Sequence, residues 1–98
     1  MDSTRESLTV GTVVLPRGMR GEVVVRGEPE ELDLIATARQ VFLRDEGGRR
    51  PTRILELRPM RGGLSIRFEG VSDRTQAEAL RGVEVEVEID SVPEPTAE

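Results

Sequence analysis

The sequence lacks several residue types that catalytic and metal sites require. Its 98 residues contain no Cys, His, Trp or Tyr. Without Cys, the chain has no disulfide framework, zinc–thiolate site, iron–sulfur cluster or thiol nucleophile. Without His, it has no imidazole base for a hydrolytic triad or dyad. We therefore expect a binding protein that is not an enzyme and that uses no metal ion or cofactor.

Aromatic residues and long apolar runs are also scarce. Phe42 and Phe68 are the only aromatic residues, too few to build the stacking platform on which single-stranded nucleic acid binds. No apolar run approaches the ~20 residues that span a membrane, and the polar N-terminus has no signal-peptide core. The length corresponds to one domain, and we expect it to be cytoplasmic, with no membrane contact.

The apolar residues that are present favour strands. There are 12 Val, 4 Ile and 7 Thr against 5 Ala, and β-branched side chains suit a pleated sheet better than a helix. With Gly and Pro at short intervals, this spacing is typical of an all-β barrel or sandwich. Strands are predicted at residues 8–15, 22–26, 40–44, 52–59, 64–69 and 83–90. The fold class is thus all-β: a six-stranded antiparallel β-barrel. Residues 27–39 could form a helical turn or an irregular loop.

One short helix is predicted before the last strand. Asp73 can cap its start with Gln76 three residues later, as in a capping box, and Gly82 suits a left-handed residue at its end. Glu78 and Arg81 are spaced to form an ion pair. We expect residues 70–82 to have a structural role.

The last strand presents a row of acidic side chains. Glu84, Glu86 and Glu88 alternate with apolar residues, so the three carboxylates share one face. Such a row could serve acid–base chemistry or hold a hard cation. We favour the simpler interpretation, a solvated face that discourages edge-to-edge aggregation.

The middle of the chain is locally basic, although the formal net charge is −5. All 14 basic residues are Arg, and residues 44–63 contain six of them against three acidic residues. Because Arg binds phosphates in a bidentate manner, Arg49, Arg50 and Arg53 are candidate RNA-binding residues. A solvated Arg-rich hairpin explains the same pattern equally well.

A glycine-hinged segment lies between the first two predicted strands. Gly18-Met19-Arg20-Gly21 joins two β-rich runs, so it is not the helix-joining loop of a KH domain. It would project Arg17, Met19 and Arg20, and Met and Arg are both enriched at protein interfaces. The alternative is an ordinary strand connection with Met19 turned inward.

Two stretches resemble the motifs of a known family. Residues 10–23, with the core Gly18-Met19-Arg20-Gly21-Glu22-Val23, and residues 67–82 are similar to the two signatures of the N-terminal domain of the RimM family of ribosome maturation factors. Their order and separation fit residues 8–90. The resemblance implies a translation-factor-type barrel that acts as an assembly chaperone. Its implied partners are the immature 30S subunit, with 16S rRNA maturing in its head, and small-subunit ribosomal protein nineteen.

The chain departs from that family in two ways. Arg17 stands where the family usually has His, so a role that depends on an imidazole is not carried over. The resemblance ends near residue 90, and we expect the family's second, C-terminal barrel to be absent. We expect a flexible N-terminus at residues 1–7, the barrel domain at 8–90, and a linker or disordered tail at 91–98.

The resulting hypothesis is a monomeric ribosome-assembly module. Its acidic charge suits a basic ribosomal protein and would speed their encounter. The predicted partner-binding residues are Pro16, Arg17, Gly18, Met19, Arg20, Gly21 and Glu22. The alternative is an RNA-binding barrel that contacts rRNA phosphates through residues 44–61.

Overall fold

The computed structural model describes residues 5–38 and 40–90. The chain order of the strands and helices is β1 (Arg5–Arg17), β2 (Glu22–Arg26), α1 (Pro29–Thr37), β3 (Gln40–Asp45), β4 (Gly48–Met60), β5 (Gly63–Phe68), α2 (Arg74–Glu78) and β6 (Glu84–Asp90). The predicted six strands are confirmed.

The six strands form a closed antiparallel barrel. Their order around it is β1-β2-β5-β4-β3-β6, and the ring closes where β1 pairs with β6, with Leu8 opposite Val87. The two long strands carry irregularities, in β1 between Val13 and Leu15 and in β4 between Ile54 and Glu56. Bulges of this kind bend strands. The closed antiparallel order of the six strands confirms the predicted barrel class.

The barrel interior is filled by the alternating apolar residues of the strands. Phe68, the largest of them, is fully buried, and Ile66 and Val25 are buried with it. The other members of the core are Val10, Val13, Val23, Ile35, Val41, Leu43, Leu64, Ala77, Leu80, Val83, Val85 and Val87. Burial of this apolar surface drives folding. The helices contribute to the core as well: Ile35 lies in α1, Ala77 lies in α2, and Leu80 follows α2.

The capping signals of the predicted helix are present in the structure. The Asp73 carboxylate accepts a 2.8 Å hydrogen bond from the Gln76 backbone N–H, and the Gln76 side chain accepts one of 2.7 Å from the Ser72 N–H. Gly82 has a φ of +86°, and Arg81 pairs with Glu78 at 3.0 Å. The helix ends at Glu78, and the chain continues in turns from Ala79 to Gly82.

Several element boundaries differ from the prediction. β1 includes Arg5, so the barrel starts before residue 8, and β4 extends over residues 48–60. The ambiguous segment 27–39 contains a nine-residue helix, α1, that begins at Pro29, a residue favoured in the first helical turn because its fixed φ suits the helix. The expected tail at 91–98, and residues 1–4 of the expected flexible N-terminus, lie outside the described residues.

The antiparallel topology sorts the connections between the two ends of the barrel. Neighbouring strands alternate in direction, so the β1–β2, β3–β4 and β5–β6 connections share one end. These are residues 18–21, 46–47 and 69–83. We call this end, which carries both family-like motifs, the loop end. The connections at 27–39 and 61–62 lie at the opposite end.

No helix in the described parts of the chain is long and apolar enough to cross a membrane.

Candidate functional site

The turn between β1 and β2, residues 18–21, is the centre of the candidate site and is called the β1–β2 loop below. Gly18 and Gly21 both have positive φ, +73° and +93°, a conformation that glycine adopts without the cost other residues incur. Gly21 also lies against the backbone of the second motif, since a Cβ there would be 2.4 Å from the Val71 carbonyl oxygen. Only glycine allows this close approach.

A hydrogen bond from α2 also holds the β1–β2 loop. The Arg74 guanidinium donates to the Gly18 carbonyl oxygen at 3.1 Å. Together with the contact of Gly21 on Val71, this bond ties both ends of the loop to the segment between β5 and β6. The two sequence motifs therefore form one unit at the loop end. Their separation in the sequence gave no sign of this contact.

Met19 lies at the tip of the loop and points into solvent. Met19 is 73% exposed, which makes it the most exposed large apolar residue of the described chain. The alternative in which Met19 turns inward is wrong. Arg17 and Arg20 are exposed on either side, whereas Pro16 and Gly21 are buried and Glu22 is half-buried. The surface of the predicted site is thus Arg17 to Arg20, shaped from beneath by Pro16 and Gly21.

A hollow of about 560 Å³ lies beside Met19. We call it the Met19 hollow; it is lined by Met19, Arg74, Thr75, Glu78 and Ala79. Four of these residues belong to α2 or directly follow it. The helix that the sequence predicted to be structural therefore also contributes to the surface next to the loop.

A second, larger depression lies next to the residues that follow α2. This groove of about 730 Å³, called the α2–β3 groove, is lined by Arg44, Asp45, Glu46, Gly47, Ala79, Arg81, Gly82, Val83 and Glu84. It includes the β3–β4 turn and the start of β6, both at the loop end. Ala79 lines both depressions, so they adjoin at this residue. Sequence reasoning missed this groove, because its sides come from connections far apart in the chain.

Arg49, a candidate RNA-binding residue, is held by internal contacts. Its guanidinium donates to Glu86 at 2.8 Å, to Glu88 at 3.0 Å and to the Ser7 hydroxyl at 2.7 Å. It also lies 3.8 Å from the centre of the Phe42 ring, in cation–π contact. The hydrogen bonds that Arg49 donates to Glu88, and then to Glu86, raise the pKa of Arg49. These contacts engage three of the five N–H donors of the guanidinium within the chain.

Glu86 is the buried centre of this cluster. Its residue is only 3% exposed, and its carboxylate is bound by Arg44 and Arg49. The hydrogen bond from Arg44 lowers the pKa of Glu86 against the opposing effect of burial, and Arg49 adds to the lowering. The expectation of a solvated acidic face is therefore wrong for Glu86, although Glu84 is exposed. The positive charges that bind the acidic row of β6 are Arg44 and Arg49 of the same chain.

The alternation of Glu along β6 and the Arg residues of β3 and β4 were both visible in the sequence. What was missing was the knowledge that β3 lies between β4 and β6, which brings Arg44 opposite Glu84 and Arg49 opposite Arg44.

Within residues 5–38 and 40–90, no three acidic side chains are grouped in a way that could hold a metal ion.

The other two candidate RNA-binding residues are more accessible. Arg50 forms an exposed 3.4 Å ion pair with Asp45. Arg53 is exposed and lines a third depression together with the exposed Leu55 of β4 and residues from the end of α1. The structure thus separates the three candidates, with Arg49 on β4 facing β6 and Arg53 close to α1.

Comparisons with known proteins identify one family. The family model described as the RimM N-terminal domain matches residues 8–92. The ribosome maturation factor RimM of Roseiflexus castenholzii is 43% identical over 94 residues, which cover 93% of this chain and 52% of that protein. The factor of the same name from Sinorhizobium medicae is 35% identical, over 96% of this chain and 49% of its own.

Two solved structures have the same fold. The crystal structure of a 16S ribosomal RNA processing protein RimM from Pseudomonas aeruginosa has a TM-score of 0.78 at 27% identity, and the match covers 90% of this chain and 54% of that one. The N-terminal domain of RimM from Thermus thermophilus, solved in solution, has a TM-score of 0.71 at 29% identity, covering 90% and 96%. The chain spans about half the length of the curated relatives it matches.

Proposed function

The chain belongs to the RimM family of ribosome maturation factors, and we propose that it contributes to ribosome maturation by binding a ribosomal protein of the small subunit through the β1–β2 loop. In this proposal the domain binds in the cytoplasm as a monomer and does not catalyse a reaction. The partner is small-subunit ribosomal protein nineteen, within the immature head of the 30S subunit whose 16S rRNA is being processed.

The exposure of Met19 in a fixed loop is the observation that carries this proposal. An apolar side chain that is 73% exposed gains free energy when a partner covers it. The Gly21–Val71 contact and the Arg74–Gly18 hydrogen bond order the loop before binding. An ordered loop loses less conformational entropy on binding, which increases affinity.

The charge distribution supports a protein partner over bare RNA. The chain has a net charge of −5, and Arg49, in the middle of its basic segment, is bound to Glu86 and Glu88. Ribosomal proteins are generally basic, and complementary charge increases the rate of association. A polyanion would meet net repulsion.

Calorimetric titration of the purified ribosomal protein tests the proposal. We expect Met19→Ala to weaken binding by about tenfold or more, as for an interface hot spot. Leu55→Ala is the matched control, because Leu55 is another exposed apolar residue, 48% exposed, on β4. It should leave the dissociation constant unchanged. Absence of binding by the wild-type chain, or equal effects of the two substitutions, would refute the proposal.

The exposed Arg50 and Arg53 favour a second candidate, contact with rRNA phosphates. Under this alternative, a 16S rRNA helix would bind the chain with an affinity that falls steeply with salt. The double substitution Arg50→Ala and Arg53→Ala would then weaken RNA binding, while Met19→Ala would not. Tight RNA binding with this pattern would replace the protein-binding proposal.

A further inference from the structure

The α2–β3 groove contains two arginines, and both are engaged within the chain. Arg44 binds the buried Glu86, and Arg81 donates to Glu78 through two of its nitrogens, at 3.2 and 3.0 Å. A guanidinium already bound to a carboxylate adds little positive potential to its surroundings. The positive charge of these two arginines is therefore largely cancelled by Glu86 and Glu78, which do not line the groove.

Two carboxylates of the groove have no such partner. Among the described residues, no hydrogen bond or ion pair involves the side chain of Glu46, in the β3–β4 turn, or of Glu84, at the start of β6. Asp45, beside them, accepts from the Gly47 N–H and from Arg50. Arg44 lies opposite Glu84 in the β3–β6 pair, but the lining has three carboxylates against two guanidinium groups. The net charge of the groove is therefore negative and complements an Arg or Lys side chain.

The groove adjoins the apolar surface of the proposed binding site. Ala79, exposed at the end of α2, lines both the groove and the Met19 hollow. Its small side chain leaves space over the helix, and the buried Val83 adds apolar surface on the groove side. A polypeptide that contacts Met19 can therefore continue over Ala79 and reach Glu46 and Glu84.

From these observations we propose that the α2–β3 groove is the second half of the docking surface and takes a basic, extended segment of the protein partner. An apolar side chain of that segment lies in the Met19 hollow, and its Arg or Lys side chains lie between Glu46 and Glu84. This inference rests on the proposed function, since it names the chemistry of the segment that the same partner presents. An RNA phosphate is disfavoured there by the same two carboxylates.

Titration of small-subunit ribosomal protein nineteen with the double variant Glu46→Gln and Glu84→Gln tests the inference. The matched control is Glu28→Gln with Glu30→Gln, which changes the net charge equally at exposed positions of the opposite end. We expect the groove variant to weaken binding by about tenfold at low salt and to reduce the salt dependence of the affinity, because exposed charge pairs are screened. The control should change the affinity by less than about twofold.

A steric variant provides an independent test. Ala79→Leu should weaken binding by about tenfold without unfolding the chain, because position 79 is exposed and has α-helical φ and ψ. Circular dichroism and urea unfolding verify the fold of each variant. If the groove variant and its control lose equal affinity, or if Ala79→Leu binds like the wild type, the groove is not part of the docking surface.

The outcomes distinguish this inference from the proposed function. If Met19→Ala weakens binding and the groove variants do not, only the groove assignment is refuted. If the wild-type chain does not bind the ribosomal protein, both are refuted. Stronger binding of a 16S rRNA helix by the Glu46 and Glu84 variant, with no loss of protein binding, would show that the groove faces nucleic acid, and would also overturn the inference.

Discussion

Replacing Glu86 with Gln should destabilise the barrel although it leaves the shape of the side chain nearly unchanged. The wild-type carboxylate is buried and receives charge-assisted hydrogen bonds from Arg44 and Arg49. The amide can offer one oxygen to one guanidinium, but its NH₂ group must then face the other. One hydrogen bond is therefore lost, and both ion pairs lose their charge.

The size of the effect follows from the exposure of the three side chains. A hydrogen bond to a charged group contributes about 1.5–3 kcal/mol. The side chains of Arg44 and Arg49 are 47% and 26% exposed, so water replaces part of what each guanidinium loses. Arg49 also keeps its bond to Glu88. We therefore expect Glu86→Gln to reduce the free energy of unfolding by about 2 kcal/mol.

Urea unfolding at neutral pH measures this loss, and Glu84→Gln is the matched control. Glu84 is the preceding Glu on the same face of β6, but it is exposed and not ion-paired among the described residues. Its substitution should change stability by less than about 0.5 kcal/mol. Equal, small effects of the two substitutions would refute the assignment of Glu86 as a buried, paired carboxylate.

The pH dependence gives a second measure of the same interaction. The pKa of Glu86 is lowered in the folded chain, so its stabilising contribution is complete above the ordinary Glu pKa of about 4.3 and is lost as the pH falls through the lowered value. The stability difference between wild type and Glu86→Gln should be constant above about pH 5 and shrink at lower pH. A difference that grows on acidification would contradict this reasoning.

Two further substitutions test the loop and the helix. Gly18→Ala should reduce the free energy of unfolding by about 1–2 kcal/mol, because Ala is strained at positive φ. Gly21→Ala should reduce it by more. Both positions have positive φ, but only at residue 21 would the new Cβ meet backbone, at 2.4 Å from the Val71 oxygen. Equal midpoints of thermal unfolding would disprove the close approach. Asp73→Ala should cost about 1 kcal/mol by removing the N-cap of α2, measurable by urea unfolding. Asp73→Asn should retain most of the stability, and an equal loss in both variants would argue against a cap.

The sequence predicted most of the barrel because strands and turns are encoded locally. The alternation in β6 and the glycines at positions 18 and 82, both with positive φ, indicated a strand and two reversals without knowledge of their neighbours. α1 was less clear, since its apolar residues Leu32 and Ile35 sit among acidic residues and pack only once the barrel exists.

The candidate site was less predictable, because it depends on contacts between distant segments. The exposure of Met19 follows from the packing of Gly21 on Val71, 50 residues later in the chain. Likewise, Glu86 looked like any exposed Glu of an alternating strand until β3 was placed beside β6. A residue's burial on the outer face of a barrel depends on long side chains from neighbouring strands, which no local pattern reveals.

The pairing of the first and last strands determines how the barrel responds to force. Arg5 of β1 lies opposite Asp90 of β6, so the described chain enters and leaves the barrel side by side. Hydrogen bonds between antiparallel strands run perpendicular to the strands. Tension applied through the two chain ends would therefore pull along these bonds and break them successively from one end of the seam, rather than all together. By this geometry, the closed barrel is mechanically weak at the β1–β6 seam.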